Sequence, residues 1–401
     1  MNSAGVLTSA EPVALVEDTL GRGRSRVFWD AEQVLTCTAP DGLPDALAQV
    51  GEAPARGMHA VGWISYETGY VLEPALRPLL GPAPAIPLLC FALFRRVAEI
   101  GTSDVDAAAR AVGGPAAARP EAVRLNTSRE QYAAALARVL QHIAAGDTYQ
   151  VNFTMKYLFE LAGHPLAWYG ALRQRQPTEY TTYLRVPGTS VLSLSPELFF
   201  SAGPDGRITC RPMKGTAPRG ADPADDERLA AWLATDPKSR AENVMIVDMI
   251  RNDLTRICEP ATIEVARLLE VERYRTVLQM TSTVRGQLRP GTTFSDVIRG
   301  LFPCASVTGA PKVSTMRLIR QLETAPRGVY TGALGHLGPG EGMRFSVPIR
   351  TAVVDERGAG ELGVGSGVLA DSRPDDEYAE CLLKGQFALG SVEQPGPDAG
   401  G

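Results

Sequence analysis

The chain has 401 residues, 44% of them hydrophobic and 21% charged, with a formal net charge of −5. This is the composition of a globular protein long enough for two ordinary domains, and its acidic balance excludes bulk attraction to nucleic acid or to an anionic membrane surface. No apolar run reaches the roughly 18 residues of a membrane span and no basic, apolar leader opens the chain, so the cytoplasm is the expected location.

Residues 1–105 alternate short apolar stretches with turn residues, as in Gly62-Trp63-Ile64-Ser65-Tyr66 and Leu89-Cys90-Phe91-Ala92-Leu93-Phe94, and read as predominantly β. The Ala/Pro/Gly-rich stretch 107–122 reads as a surface linker. A helix follows. Ser128 and Gln131 make a capping-box pattern, Tyr132, Leu136, Val139, Leu140 and Ile143 recur at helical spacing, and Gly146 stops it. The period then changes to two, with Val151, Phe153, Met155, Tyr157, Phe159 and Leu161 on one face of a strand and Gln150, Asn152, Thr154 and Lys156 on the other. Further strands are predicted at 190–202, 206–213, 344–354 and 361–370, and helices at 225–234, 240–257, 310–323 and 374–387. Strands in clusters separated by helices in pairs give an α+β fold with largely antiparallel sheets. The tail 392–401 is expected to be disordered.

Cys37, Cys90, Cys210, Cys258, Cys304 and Cys381 are scattered with no CxxC pair, which predicts reduced, buried thiols. The four histidines, His59, His142, His164 and His336, show no metal-ligand spacing, so a divalent cation here would be a hard one held by carboxylates. Two helices carry acids worth weighing. Glu242 shares a face with Met245, Ile246, Met249 and Asp253, where an ionised carboxylate is costly unless paired with an arginine from a neighbouring element or bound to a metal. Glu377, Glu380 and Lys384 line one face of the last helix, with Pro374 in its first turn, and by themselves describe a solvated face. Lys214, at a predicted strand end, is by itself an ordinary turn lysine. As a nucleophile it would need burial or a neighbouring cation to supply a neutral amine.

Taken together in chain order, Ser195-Pro196-Glu197, Arg211-Pro212-Met213-Lys214-Gly215-Thr216, Ala241-Glu242-Asn243, Ser306-Val307-Thr308-Gly309-Ala310-Pro311-Lys312, and Glu377-Tyr378-Ala379-Glu380 with Lys384 resemble the chorismate-utilising enzymes. That family includes anthranilate, aminodeoxychorismate, isochorismate and salicylate synthases. The resemblance is dense over about residues 125–390 and thinner over the first 120. It implies a two-subdomain sandwich of antiparallel sheets flanked by helices. It also implies an N-terminal region over 1–122, resembling that of anthranilate synthase component I, and a chorismate-binding catalytic domain over 123–391.

The resemblance further implies roles for single residues. Glu242 and Glu380 match primary ligands of Mg²⁺, and Glu377 a direct or water-mediated one. Lys214 matches a nucleophile that attacks C2 of chorismate, and Glu197 the acid that protonates the departing C4 hydroxyl; apolar neighbours would raise its pKa. Gly215, Thr216, Thr308, Gly309, Tyr330, Arg350, Gly365, Ser366, Gly367 and Lys384 match substrate contacts. The arginine fork suits the enolpyruvyl carboxylate, and the glycines admit close backbone approach. A lysine in Pro-x-Lys-Gly-Thr points to the aminodeoxychorismate synthases (component I), because anthranilate synthases usually carry alanine there. Gln150 stands where isochorismate and salicylate synthases place a water-activating lysine, which favours the nitrogen-adding branch. Gln279 departs from the pattern, since many members have histidine there.

No cysteine has the Gly-rich setting of a glutamine-hydrolysing nucleophile, so the implied partner is a separate glutamine amidotransferase subunit supplying ammonia. The rival readings are anthranilate synthase component I and a catalytically silent metabolite-binding subunit.

Overall fold

The computed structural model describes residues 3–390 apart from residues 22, 82–85, 115, 116 and 276; the expected disordered tail, 392–401, lies outside the described residues. The chain opens with α1 (Ser3–Thr8), β1 (Val13–Glu17), β2 (Arg26–Cys37), α2 (Leu43–Glu52), β3 (His59–Ile64), α3 (Thr68–Leu72), β4 (Leu89–Glu99) and α4 (Thr102–Ala111). Next come β5 (Arg119–Leu125), α5 (Arg129–Ala144), β6 (Gln150–Ala162), α6 (Pro165–Arg175), β7 (Tyr180–Val186), β8 (Thr189–Ser195), β9 (Leu198–Ala202), β10 (Arg207–Arg211) and β11 (Met213–Pro218). Two abutting helices, α7 (Pro223–Thr235) and α8 (Pro237–Thr255), lead to β12 (Glu264–Arg273), β13 (Val277–Gln287), α9 (Phe294–Leu301), β14 (Gly309–Ala310) and α10 (Lys312–Leu322). The chain closes with β15 (Ala333–Gly338), β16 (Gly342–Ser346), β17 (Thr351–Asp355), β18 (Ala359–Val368) and α11 (Pro374–Leu389).

Among the described residues all strand pairings are antiparallel. One half of the ladder runs β5–β6–β18–β17–β8–β7–β1. The β1–β2 pairing carries it into the other half, β2–β4–β3–β15–β16–β9–β10–β13–β12. β11 follows β10 along the same edge of β13, and β14 adds to the start of β6.

Alternation of side chains shows how the halves pack. On β4, Leu89, Phe91 and Leu93 join a core with residues of α2, α8 and α9, whereas Cys90, Ala92 and Phe94 join Leu184, Val191 and Val353 of the other half. On β17 the order is mirrored: Val353 faces the opposite half, and Ala352 and Val354 pack with residues of α5, α6 and α11. The result is a sandwich of two antiparallel sheets with helices on both outer faces, as expected for α+β.

The expected linker is in part regular structure among the described residues. It holds the end of α4, whose Val105, Ala108 and Ala109 are buried, and the start of β5. Its alanines are good helix formers, and their small size lets α4 pack closely against α1 and α6. The capping box of Ser128 and Gln131 is present as read. The predicted strand 190–202 breaks at Pro196-Glu197 into β8 and β9, and 344–354 breaks into β16 and β17. Helix α6 carried no readable stripe because it is buried nearly all round, from Leu166 to Arg173. α8 starts at Pro237 rather than near Arg240, since Asp236 caps it through the Ser239 N–H while also ending α7. All six cysteines are free and buried, and no helix among the described residues is long and apolar enough to cross a membrane.

Gly62 sits on β3 between β4 and β15, where a Cβ would lie 2.1 Å from the Cys90 carbonyl oxygen and 2.5 Å from the Phe91 Cα. Gly62→Ala is therefore expected to destabilise the fold by about 2–3 kcal/mol in urea unfolding, because backbone must shift to admit the methyl. An unchanged midpoint would show that the two strands yield freely there.

Candidate active site

The candidate residues come from both halves of the sandwich. Glu197 occupies the corner between β8 and β9, created where Pro196 interrupts the ladder. Its backbone N–H donates to Ser195 Oγ at 3.2 Å, and its carbonyl accepts from the Val347 N–H at 3.0 Å. The carboxyl is 3% exposed, and burial pushes its pKa up to about 7; the Ser306 hydrogen bond, the Lys214 charge and the Met213 N–H pull the other way. Such a group keeps a large protonated fraction at neutral pH.

Lys214 lies on β11 and is half-buried. Its Nζ is 3.2 Å from the position a Cβ would take at Gly367 of β18, and the Gln150 Nε2 is 2.9 Å from that same position. The backbone around it is held firmly. Asn243 of α8 is fully buried, reaches the Lys214 carbonyl at 3.4 Å and accepts from Ser282 Oγ at 2.5 Å. Gly215 has φ +90° and presses on α8, where a Cβ would be 2.7 Å from that of Ser239, so glycine is needed on both counts. Gln279 brackets the next bond: its Nε2 donates to the Gly215 carbonyl at 2.8 Å and its Oε1 accepts from Thr216 Oγ1 at 2.9 Å. The departure from histidine thus places a neutral amide in a structural clamp.

Across from β11, α8 presents Glu242, half-buried and without a hydrogen-bonding partner among the described residues. Burial raises its pKa; Lys214 and Lys238 oppose the shift, and Glu380 and Glu377 of α11 add to it. The other acid on its face, Asp253, has the salt-bridge role, bonded to Lys312 Nζ at 2.7 Å. On α11, Glu377 is buried and accepts from Ser372 Oγ at 2.6 Å, while exposed Glu380 pairs with Lys384 at 2.5 Å. Lys384 also donates to the Gly365 carbonyl at 2.8 Å, which ties α11 to β18.

The three glutamates are of the right chemistry for a hard cation, and their mutual repulsion is what such an ion would relieve. They are not gathered around one point: among the described residues no three His, Cys, Asp or Glu side chains form a group able to hold a metal.

The remaining expected contacts frame this centre. The ladder between β17 and β18 stops at Leu362, so beyond it β18 pairs with β6 alone through Gly365, Ser366 and Gly367. The Ser366 side chain turns inward to the Tyr132 hydroxyl at 3.0 Å, which leaves only its backbone for a ligand. Thr308 and Gly309 pack beside Gln150 and Asn152: the Thr308 carbonyl accepts from the Asn152 N–H at 2.9 Å, and a Cβ on Gly309 would lie 2.1 Å from the Gln150 carbonyl oxygen. Tyr330 lays its ring across Gly363, with Glu380 among the charges acting on it. Arg350, at φ +51°, stands opposite the Ser195 corner, where its carbonyl accepts from the Leu194 N–H at 3.1 Å. Its half-buried guanidinium makes no ion pair among the described residues, and burial pulls its pKa down.

Sequence reading missed Ser306 and Asn243 as individual contributors, although both stand inside motifs it singled out. Asn243 directly follows Glu242, which was the available signal, whereas nothing adjacent in sequence marks Ser306.

The chorismate binding enzyme family matches residues 16–390 of this chain. An aminodeoxychorismate synthase of Streptomyces pristinaespiralis is 47% identical over 252 residues, which cover 63% of this chain and 35% of that protein. Anthranilate synthase component 1 of Streptomyces coelicolor is 37% identical over 377 residues, 94% of this chain and 72% of that protein. The chain therefore spans about a third of the first relative's length and roughly seven-tenths of the second's. The solved structure of anthranilate synthase component I from Streptococcus pneumoniae has the same fold, with a TM-score of 0.78 at 24% identity over 92% of each chain. With its family match running almost end to end, this chain belongs to the chorismate binding enzymes.

Proposed function

We propose that the chain is an aminodeoxychorismate synthase component I, converting chorismate and ammonia to 4-amino-4-deoxychorismate. The observation that carries this reading is Lys214, whose charge acts on both Glu197 and Glu242 while its amine lies beside the open stretch of β18 at Gly367.

In the proposed reaction the Lys214 amine, once it has given up its proton, bonds to C2 of chorismate, both double bonds of the ring diene shift, and the C4 hydroxyl leaves as water with the proton of Glu197. Ammonia then adds at C4 and returns a proton to Glu197, both double bonds shift back and the lysine departs from C2, so the enolpyruvyl group is retained. The unpaired Arg350 guanidinium and Tyr330 would take the enolpyruvyl carboxylate. Glu242, Glu377 and Glu380 carry the donor chemistry that a Mg²⁺ ion would need in order to neutralise the ring carboxylate, and holding one would require them to draw closer together than they stand. Gln150 supports the nitrogen-adding branch, because an amide can orient a nucleophile by hydrogen bonds but is too weak a base to activate water. A glutamine amidotransferase subunit would supply the ammonia from glutamine, and the product suits para-aminobenzoate and folate synthesis.

Incubation with chorismate, Mg²⁺ and ammonium, followed by mass spectrometry, is expected to give 4-amino-4-deoxychorismate; anthranilate and pyruvate would instead establish the rival synthase. Lys214→Ala should lose turnover by at least about 1,000-fold and with it any chorismate-derived mass adduct on trapped protein. Near wild-type turnover in that variant would rule out covalent catalysis.

The Glu197 carboxyl also predicts a pH effect on stability. Its pKa is raised from 4.5 to about 7 in the folded chain, so the folded state binds the extra proton between those values and loses stability as pH rises through them. The cost above neutral pH is about 3 kcal/mol. Glu197→Gln should thus stabilise the protein more at pH ~8 than at pH ~4.5 by roughly that amount. Equal gains at both pH values in denaturant melts would contradict a proton held by burial.

A further inference from the structure

Groups that carry charge or exchange protons face Glu197 from several elements. Lys214 comes from β11, Cys210 from β10, Asp253 (paired with Lys312) from α8, and Cys304 from the loop after α9. The shortest contact is with a neutral group: Ser306 Oγ donates to Glu197 Oε1 at 2.6 Å, and Cys304 Sγ lies 3.2 Å from that same hydroxyl oxygen. Ser306 is 4% exposed, within a tight turn over Ala305–Val307. The turn is pinned on both sides, by Thr308 Oγ1 donating to the Cys304 carbonyl at 2.8 Å and by Arg327 Nη1 donating to the Val307 carbonyl at 2.8 Å. Arg327 is itself fixed by Glu323 at 2.7 Å and by the Tyr66 ring, 4.3 Å away. The backbone that carries the hydroxyl is therefore fixed beside the carboxyl.

We propose that Ser306 is a positioning residue for Glu197, its hydroxyl fixing one carboxyl oxygen so that the other gives and receives the acid's proton. This rests on the reading of Glu197 as the general acid. A carboxyl that works as an acid has to present its proton in one direction, and a buried one has no solvent to select that direction for it. A hydroxyl donating to Oε1 does so, and it also favours the ionised form. Removing it should therefore tighten proton binding and loosen orientation together.

The test follows the Glu197 carboxyl by infrared spectroscopy in the full chain without substrate, between pH ~5 and ~9. The band is assigned by its loss in Glu197→Gln. Ser306→Ala is expected to move the titration midpoint up by about one pH unit. It should also lower kcat about 10-fold with KM changed less than about twofold, while Ser306→Thr, which keeps the hydroxyl, retains both wild-type values. Ser306→Cys, a near-isostere with a weak donor, gives the same upward shift if the alanine variant does not fold. A midpoint unmoved in the alanine or cysteine variant, alongside an inactive Glu197→Gln, overturns the role of Ser306 alone. Wild-type turnover by Glu197→Gln overturns the acid reading and the proposal with it.

Discussion

A lysine amine and two carboxyls are drawn together out of bulk water, and much of the structure around them answers that constraint. Desolvation raises the pKa of both Glu197 and Glu242, and for each the Lys214 charge opposes the rise. Coulomb energy between such groups grows as the surroundings lose water, so a small displacement of the amine would leave a carboxyl buried without its counter-charge. This explains why the backbone of β11 is held so closely. Asn243 grips it from α8, Gln279 brackets the two residues after the lysine, and Gly215 takes a backbone conformation that side chains resist.

The scaffold brings this about by joining two half-sheets between which the chain passes repeatedly, as from β8 to β9. β11 pairs with β13 in the half that ends in β12, whereas Gly367 and Gln150 belong to the pair β18 and β6 in the other. Gly367 is where they meet, since the Lys214 amine and the Gln150 amide both lie within 3.2 Å of where its Cβ would stand. The early strands are part of the same frame: β1 pairs with β7 and β3 with β15, so the first 122 residues share ladders with later ones. Arg327 extends that linkage, joining Glu67 and Tyr66 near the start of the chain to the turn that carries Ser306.

Legibility in the sequence followed the strength of local signals. The period-two face of 150–162, the capping box at Ser128 and the proline opening α11 each act within a few residues, and the structure has all three. Helices α6 and α9 were unread for different reasons: the first is buried nearly all round, and the second is only eight residues long. The boundary at Asp236 hid because one residue ends one helix and caps the next. In the site, motif order pointed to Lys214, Glu197 and Glu242, but no local pattern reveals that Ser366 turns inward or that Asp253 takes Lys312. Those outcomes depend on which elements become neighbours, and sequence spacing does not record that.

Gln150 shows how far electrostatics alone can explain the site. The residue is 1% exposed, and among the described residues neither its amide nitrogen nor its amide oxygen has a hydrogen-bond partner. A buried polar group left unpaired costs about 1–3 kcal/mol, and β6 offers an obvious remedy in an apolar residue like those on its other face. Beside the Lys214 amine, however, a second lysine would add a competing charge, and an apolar residue would give an incoming molecule nothing to bind. A neutral amide offers both a donor and an acceptor without perturbing the balance among Lys214, Glu197 and Glu242. The unmet hydrogen bonds of Gln150 are thus the counterpart of the Arg350 guanidinium, which makes no ion pair among the described residues: under the proposed function, a small anionic substrate and its nucleophile would supply both missing partners.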